Sequence, residues 1–500
     1  MTTKGDIGAL EASGLIGLAA LQPELEYLFR HVLVQDAAYG SLLKQERREL
    51  HRRVADALIE LYPERHAELA GVIGMHLEEA GDPARAAPFL VEAGDRALAR
   101  FATREARALF DRARAALGAD AVDVETARLL LRAGLGAVRA GWTFAPTPGE
   151  IARVAELIPI AERVGDLRLL SEIHFWNAFM RAGQGELPET SAELRRSTER
   201  LAELGAQQAD PVARAMPEAI MGANMVFGGQ LREGADLLRK AAPVIDAGGD
   251  AITASQLYQT IALAYSRLGD FAGAELAAGR GDRLAAEGDP IARLDSDIVR
   301  ASIASERGEL DVAVDLAAKC AANSEELGAT LCGIPANYFL GDGRLRRGQA
   351  ELAKPSFERM LQLGAGEQEA LGGLGALGRA GLAAAIARLG DANAALADFD
   401  GALAAAQRFR DPFSEATILA RRGAALAREG SPDQAALLAD FEAAVAIFER
   451  IGARPALSRT LRAYASALAR ADRGPEARAA RERAEAIKTE LGLRDPDLAV

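Results

Sequence analysis

The sequence predicts an all-α protein of the α-solenoid class, in which about ten helical hairpins stack side by side. Two regular series of glycines predict this fold, because glycine readily takes the left-handed conformation in which many helices end. The first series recurs at intervals of 39 to 44 residues, at Gly185, Gly229, Gly269, Gly308, Gly348, Gly390, Gly430 and Gly474. The second series lies about half a period away, at Gly205, Gly248, Gly249, Gly288, Gly328, Gly364, Gly452 and Gly492.

Residues 256–290 show what one unit of this repeat contains. Ile261 and Tyr265 are four residues apart, so that they share one face of a helix. Gly269 then interrupts the helix, and Asp270 is placed to cap the helix that follows. Because a single hairpin cannot bury both of its faces, each unit needs neighbours on either side.

Composition limits the kind of partner that this protein can have. The net charge is -13 and the isoelectric point is near 5.2, which argues against a general nucleic-acid surface because such surfaces need clustered Lys and Arg. A protein partner is expected instead. The first twenty residues carry Lys4, Asp6 and Glu11 and no long apolar run, and two cysteines give no disulfide framework. These features predict a cytoplasmic protein with no membrane segment.

In chain order, the sequence first predicts a short helix over residues 7–16 and a small β-hairpin over residues 18–29 that turns at Gln22-Pro23. Two helices are predicted next, over residues 33–43 and 50–61, from their apolar spacing. These elements precede the repeats.

The first repeats are predicted over residues 66–117, with helix breaks at Gly81-Asp82-Pro83 and at Gly94-Asp95. A further helix over residues 126–139 is expected to end at Gly141-Trp142. The Pro-rich stretch 145–149 then divides the array into a head and a longer tail.

The repeat resembles the tetratricopeptide family. The resemblance is carried by pairs of a large and a small residue, by an aromatic at Tyr265 and by small residues early in the second helix. The pairs are Ile261-Ala262, Leu340-Gly341 and Leu382-Ala383, and the small residues are Ala274, Ala313, Ala353 and Ala395. The unit of about forty residues is longer than the usual 34 of that family, so the fold implied is tetratricopeptide-like with extended helices.

A second resemblance lies before the repeats. The stretch from residue 27 to 62 resembles the junction in bacterial signalling proteins of the STAND class, where a winged-helix domain behind an ATPase passes into a helical sensor. Predicted ATPases fused to adenylyl cyclases and large LuxR-type regulators carry this junction. The matching residues are Phe29, Arg30, His31, Leu33, Asp36, Tyr39, Leu42, Leu43, Arg48, Leu50, His51 and Val54.

The two resemblances together imply four segments. Residues 1–35 are expected to be the remnant of a winged-helix domain, and residues 36–145 to hold the junction helices and first repeats. Residues 146–492 form the tetratricopeptide-like array, and residues 493–500 are a frayed tail.

Motifs for catalysis or cofactor binding are missing or lack their context. The sequence has no Walker A motif, no GxSxG, no HExxH and no paired CxxC. Gly373, Gly375 and Gly378 spell GxGxxG, but they stand in an Ala/Leu-rich helical run and not after a strand. Cys320 and Cys332 are interpreted as small core residues, and His31 and His51 as packed, hydrogen-bonded histidines. We therefore expect no enzyme activity, no cofactor and no metal.

A binding surface is expected on the concave side of the array, which the first helix of each hairpin lines. A protein or peptide partner fits this groove best, and a small-molecule ligand is a further possibility. The alternative is that these side chains are merely solvated, or in the core. The candidate residues are Glu172, Phe175, Gln256, Gln259, Ser266, Arg267, Tyr338, Asp342 and Arg346.

The function that these observations predict is a non-catalytic sensor and interaction module of a STAND-type signalling protein, which regulates an ATPase or output domain. Two alternatives stay open. The first is a part of an ATP-dependent adenylyl cyclase, and the second is a part of a LuxR-type transcription regulator, in each case without the catalytic or DNA-binding domain.

Overall fold

The computed structural model describes eleven ranges of the chain, and all structural statements below concern them. These are residues 4–20, 26–100, 102–118, 123–141, 147–183, 186, 191–207, 209–285, 290–364, 372–428 and 434–494. The chain divides into two compact units, residues 1–93 with 112–120 and residues 94–111 with 121–500. The segment boundaries predicted at residues 35, 145 and 492 stay predictions.

Almost all of the described chain is helical. The first elements are α1 (Lys4–Ala12), β1 (Ile16–Ala20), β2 (Glu26–Phe29), α2 (Val32–Ser41), α3 (Lys44–Leu61), α4 (His66–Glu79), α5 (Pro83–Ala99) and α6 (Thr103–Leu117). Next come α7 (Val124–Gly141), α8 (Thr147–Val164), α9 (Leu167–Gly183), α10 (Ala192–Gln207), α11 (Pro211–Phe227), α12 (Leu231–Ala247), α13 (Ala251–Leu268), α14 (Phe271–Ala285), α15 (Pro290–Arg307) and α16 (Leu310–Leu327). The last are α17 (Thr330–Arg346), α18 (Ala350–Leu363), α19 (Gly372–Arg388), α20 (Ala392–Arg408), α21 (Pro412–Arg428), α22 (Gln434–Ile451), α23 (Arg454–Arg470) and α24 (Gly474–Leu491). Within these ranges, none of the helices combines the length and apolarity that crossing a membrane requires.

The first unit contains the predicted β-hairpin. Strands β1 and β2 pair antiparallel, with Ile16 opposite Phe29 and Leu18 opposite Tyr27. The turn predicted at Gln22-Pro23 lies outside the described residues. Helices α3 and α4 pack together as a hairpin in the same unit.

The histidines of the first unit differ in their surroundings. His51 Nε2 lies 3.0 Å from the Tyr39 hydroxyl, and His51 Nδ1 lies 2.8 Å from His76 Nδ1. His51 is therefore hydrogen-bonded, as the sequence predicted. His31 is exposed at the start of α2 and does not make a side-chain cap, so the prediction of a packed residue is wrong there.

The second unit is the solenoid. From α7 to α24, nine consecutive helix pairs form hairpins, and each first helix also contacts the first helix of the next hairpin. The odd-numbered helices thus form an inner layer and the even-numbered helices an outer layer. This arrangement confirms the predicted α-solenoid.

The last hairpin of the second unit returns to earlier ones, because α23 contacts both α13 and α15. Arg459 on α23 donates from Nη2 to Glu306 Oε2 on α15 at 2.7 Å. The backbone N–H of Arg494 donates to the carbonyl of Arg307 at 2.8 Å. Six hairpins, from α13–α14 to α23–α24, therefore make one closed superhelical turn.

The two glycine series mostly mark helix ends, as predicted. Left-handed backbone occurs at Gly229, Gly249, Gly269, Gly308, Gly328, Gly348, Gly390, Gly452 and Gly492. Gly185, Gly288 and Gly430 lie outside the described residues. Two further breaks use other residues, since Arg410 and Asp472 have positive φ between α20 and α21 and between α23 and α24.

Some predicted breaks are wrong. Gly94 lies inside α5 and Gly205 lies inside α10, whereas Gly474 starts α24 directly after the break that was predicted there. Gly94 and Gly205 each lie close to another side chain, so glycine is needed at these positions for close packing and not to end a helix. A Cβ at Gly94 would lie 2.7 Å from Phe110 Cε1, and one at Gly205 would lie 2.9 Å from Pro217 Cγ.

The core between the two layers follows the predicted pairing of small and large residues. Ala274, Ala313, Ala353 and Ala395 are completely buried early in the second helices. Gly341, the small member of the Leu340-Gly341 pair, lies against the buried ring of Phe357 on α18, where a Cβ would come 2.9 Å from Phe357 Cε1. Small residues at these positions let two helices approach closely.

Gly341→Ala tests this packing. We expect the free energy of unfolding to fall by about 1–3 kcal/mol, because the added methyl must displace the Phe357 ring. The control is Gly401→Ala on α20, where a Cβ would meet no atom within 4 Å. That variant gains only helix propensity and should be about 0.5–1 kcal/mol more stable. Urea unfolding of both variants checks this, and equal stability of the two would contradict the packing.

Candidate functional site

The inner helices α13, α15, α17, α19, α21 and α23 surround a cavity of about 290 Å³. Its walls are partly apolar, and its charged side chains are mainly arginines. The apolar lining includes Leu263, Leu310, Phe339, Leu345, Leu374, Leu377, Phe413 and Phe448. The charged lining residues are Arg267, Glu306, Asp342, Arg346, Arg388, Arg421, Arg459 and Arg462.

Asp342 is the centre of a network that joins three inner helices. Arg421 on α21 forms an ion pair with Asp342 Oδ1, and Arg346 Nη1 lies 3.4 Å from Asp342 Oδ2. Arg346 Nη1 also donates to the carbonyl and to the hydroxyl of Ser305 on α15, each at 2.9 Å. The guanidinium of Arg421 lies over the ring of Tyr338, 5.9 Å from its centroid.

The environment of the network shifts two pKa values. Burial by itself would raise the pKa of Asp342, but the charges of Arg421 and Arg346 outweigh it and lower this pKa below its ordinary value. Burial raises the pKa of Tyr338 to about 12. Asp342 is therefore ionised and Tyr338 is neutral at neutral pH.

The other arginines of the cavity have different kinds of contact. Arg388 Nη1 donates to the Leu345 carbonyl at 2.6 Å. Arg267 on α13 stacks on Phe413 of α21, with its guanidinium carbon 4.0 Å from the ring centroid. Within the described part of the chain, no carboxylate or other acceptor hydrogen-bonds to Arg267.

The chemistry of the cavity follows from its lining residues. None of its lining residues is a histidine or a cysteine, and its two carboxylates are paired with arginines. Among the described residues, no group of three or more His, Cys, Asp or Glu side chains could hold a metal ion. The arrangement offers hydrogen-bond donors, positive charge and apolar walls to a ligand.

Comparison with known proteins identifies the fold. No protein-family model matches the chain. A stretch of 117 residues is 31% identical to an uncharacterised protein of Rhizobium meliloti (strain 1021), and it covers 23% of this chain and 11% of that protein. The crystal structure of a Rap protein complexed with competence and sporulation factor superposes with a TM-score of 0.57 at 14% identity, over 74% of this chain and 99% of that one.

The chain has a tetratricopeptide-like α-solenoid fold. A STAND protein of Pyrococcus horikoshii with a tetratricopeptide repeat sensor is also similar, with a TM-score of 0.43 and 15% identity over 82% of this chain and 59% of that one. The likeness to the Rap structure establishes the fold only.

The tetratricopeptide-like fold brings four of the nine candidate residues together. Arg267, Tyr338, Asp342 and Arg346 all line the cavity, although they come from two helices that are not adjacent in the chain. Their spacing from the turn glycines predicted that these residues lie on the inner face. The closed turn brings them into one cavity.

The other five candidates lie elsewhere. Phe175 and Ser266 are buried in the packing of their helices, with Phe175 stacked on Phe179. Glu172 accepts a hydrogen bond from Arg168 at 3.1 Å, and burial raises its pKa. Gln256 is buried beside Asp295, and Gln259 is partly buried on the same helix, α13.

Sequence reasoning missed four of the arginines that line the cavity, namely Arg388, Arg421, Arg459 and Arg462. Arg388 precedes a turn glycine by two residues, as Arg267 and Arg346 do, so the same spacing could have identified it. Arg421, Arg459 and Arg462 lie farther from their turn glycines and have no such signal. Their place in the cavity depends on how the superhelical turn closes.

A second polar cluster lies beside the cavity helices, around Asp295 on α15. Cys332 donates from Sγ to Asp295 Oδ1 at 3.3 Å, and Gln256 also hydrogen-bonds to this carboxyl. Burial raises the pKa of Asp295 to about 6. Cys320 and Cys332 are both buried free thiols, which confirms that they are core residues, and burial raises the pKa of both.

Asp295→Asn and Asp342→Asn should change stability in opposite directions. The raised pKa of Asp295 means that its carboxyl stabilises the fold when protonated, and that this contribution is lost as the pH rises through about 6. At pH 8 the Asn variant should therefore be more stable, by on the order of 2 kcal/mol, and at pH 4 the gain should vanish. Asp342 has a lowered pKa, so its contribution is present at neutral pH and is lost in acid.

Asp342→Asn should accordingly destabilise the protein at pH 8, because it removes the carboxylate with which Arg421 and Arg346 pair. Urea unfolding of both variants at several pH values provides the measurement. A loss of stability in Asp295→Asn at pH 8 would contradict the burial of an ionised carboxylate there.

Proposed function

We propose that this protein is a non-catalytic sensor and interaction module that binds a peptide or a segment of a partner protein in the cavity of its closed solenoid turn. The observation that carries this proposal is the cavity itself, which combines apolar walls with arginine donors from five inner helices. Such a lining suits an extended chain, whose side chains enter apolar pockets while its backbone and acidic groups meet the donors.

The similar Rap structure supports the proposal. That protein has the same fold and is complexed with competence and sporulation factor. The match covers 99% of the Rap chain, so it includes the inner helices of that protein, which form a groove in a fold of this type.

The cavity also offers a route by which binding could be sensed. Arg346 and Arg459 line it, and each of them also holds two inner helices together through α15. A ligand that contacts these arginines changes the contacts that set the curvature of the turn. Hydrogen exchange in α15 and α23 should therefore change when a ligand binds.

The first unit supports a connection to another domain. Helix α2 buries none of its side chains, and the exposed residues around it include Leu28, Val32, Leu33 and Leu43, each at least 66% exposed. Large apolar side chains that are exposed around one helix favour a docking site there. Together with the STAND-like junction, it favours a module that regulates an ATPase or an output domain. An adenylyl cyclase or a LuxR-type regulator is such a context.

Selection of short random peptides displayed on phage tests the proposed function. We expect the full chain to select peptides that depend on the cavity. Ala424→Trp fills the cavity from the partly exposed face of α21, and it should lose these peptides. Ala404→Trp adds the same side chain to the exposed face of α20 and is the matched control.

The outcome is read as the affinity of each selected peptide for the three proteins. Binding to the wild type and to Ala404→Trp, with at least about tenfold weaker binding to Ala424→Trp, is expected. If no peptide is enriched, or if the two tryptophan variants bind alike, the cavity is not the binding site of this module.

A further inference from the structure

The cavity has a surplus of positive charge in an acidic protein. Six arginines and two carboxylates line it, whereas the whole chain carries a net charge of -13. The arginines belong to α13, α17, α19, α21 and α23, so the positive charge is distributed around the cavity and not concentrated at one point. Enclosed cations interact strongly with an anion, because little water screens them.

The internal carboxylates show what these arginines can bind. Asp342 reaches Arg421 from α17, and Glu306 reaches Arg459 from α15. Both pairs join side chains from different helices, at positions 79 and 153 residues apart. The cavity therefore already accommodates carboxylates that reach arginines on a different inner helix.

Arg267 is the arginine that the chain itself leaves available. Its guanidinium is held flat against Phe413, and no acceptor among the described residues hydrogen-bonds to it. A stacked guanidinium keeps the N–H groups at its edge, where a carboxylate can accept two of them. Arg267 is thus held in position by Phe413, with no hydrogen-bond acceptor in the described part of the chain.

We propose that the ligand of this cavity is an acidic peptide, whose carboxylates pair with Arg267 and the neighbouring arginines while its apolar side chains contact the leucine and phenylalanine walls. This inference rests on the proposed peptide-binding function and adds the chemistry of the ligand. The positive charge of the cavity is distributed over five helices. A peptide with several acidic side chains can pair with more of these arginines than one compact anion can.

The selection described above tests this inference separately from the proposed function. Cavity-dependent peptides should be enriched in Asp and Glu relative to the starting library. A tightly bound peptide is then compared by calorimetry with its twin, in which Gln and Asn replace Glu and Asp. We expect the twin to bind at least about tenfold more weakly, and salt to weaken the acidic peptide only.

Arg267→Gln provides the residue-level test. It should weaken the acidic peptide about tenfold and leave the neutral twin unchanged, while Arg267→Lys should retain part of the affinity. The control is Arg239→Gln on the outer helix α12, where Arg239 is exposed and pairs with Asp236 within one helix. The affinity of citrate, a compact anion, is measured for comparison with the affinities of the peptides.

Three results would overturn the inference. Cavity-dependent peptides without acidic enrichment would leave the proposed function intact and refute acidic recognition. Equal effects of Arg267→Gln and Arg239→Gln would show that Arg267 does not bind the ligand. Tighter binding of citrate than of any selected peptide would identify a compact anion as the ligand.

Discussion

The return of α23 to α13 and α15 is the contact on which the site depends. In an open solenoid each hairpin meets only its neighbours, and its inner face is a groove. Here the last hairpin closes the turn, and the groove becomes a cavity. Gly269 has a part in this closure as well as in ending α13, because a Cβ there would lie 2.7 Å from Leu491 Cδ1 at the end of α24.

The charges of the cavity fit with this closure. An arginine inside a protein is costly unless a carboxylate or other acceptor is close to it. Asp342 supplies this partner to Arg421, and Glu306 supplies it to Arg459, so the same ion pairs neutralise part of the cavity and link distant helices. Asp295 shows the contrasting case, because no arginine of the described ranges pairs with it and burial raises its pKa. Asp342 therefore stays ionised because the charges of Arg421 and Arg346 outweigh the cost of its burial.

Much of the fold could be predicted from the glycine spacing, and the closure could not. A glycine with positive φ marks a helix end locally, as Gly348 does, whereas Asp472 takes the same conformation with no glycine signal. The inner-face position of Asp342 follows from its distance to Gly348 along one helix. The contact between Asp342 and Arg421 depends on the packing angles of several hairpins. The spacing of residues in the sequence does not predict these angles.

A double-mutant cycle between Arg459 and Glu306 tests the closed turn most directly. Arg459→Gln, Glu306→Gln and the double variant are compared with the wild type by urea unfolding of the full chain. A closed turn predicts that the two substitutions are coupled by at least about 1 kcal/mol, since each removes the partner of the other. Strict additivity of the two effects would show that α15 and α23 do not meet in solution.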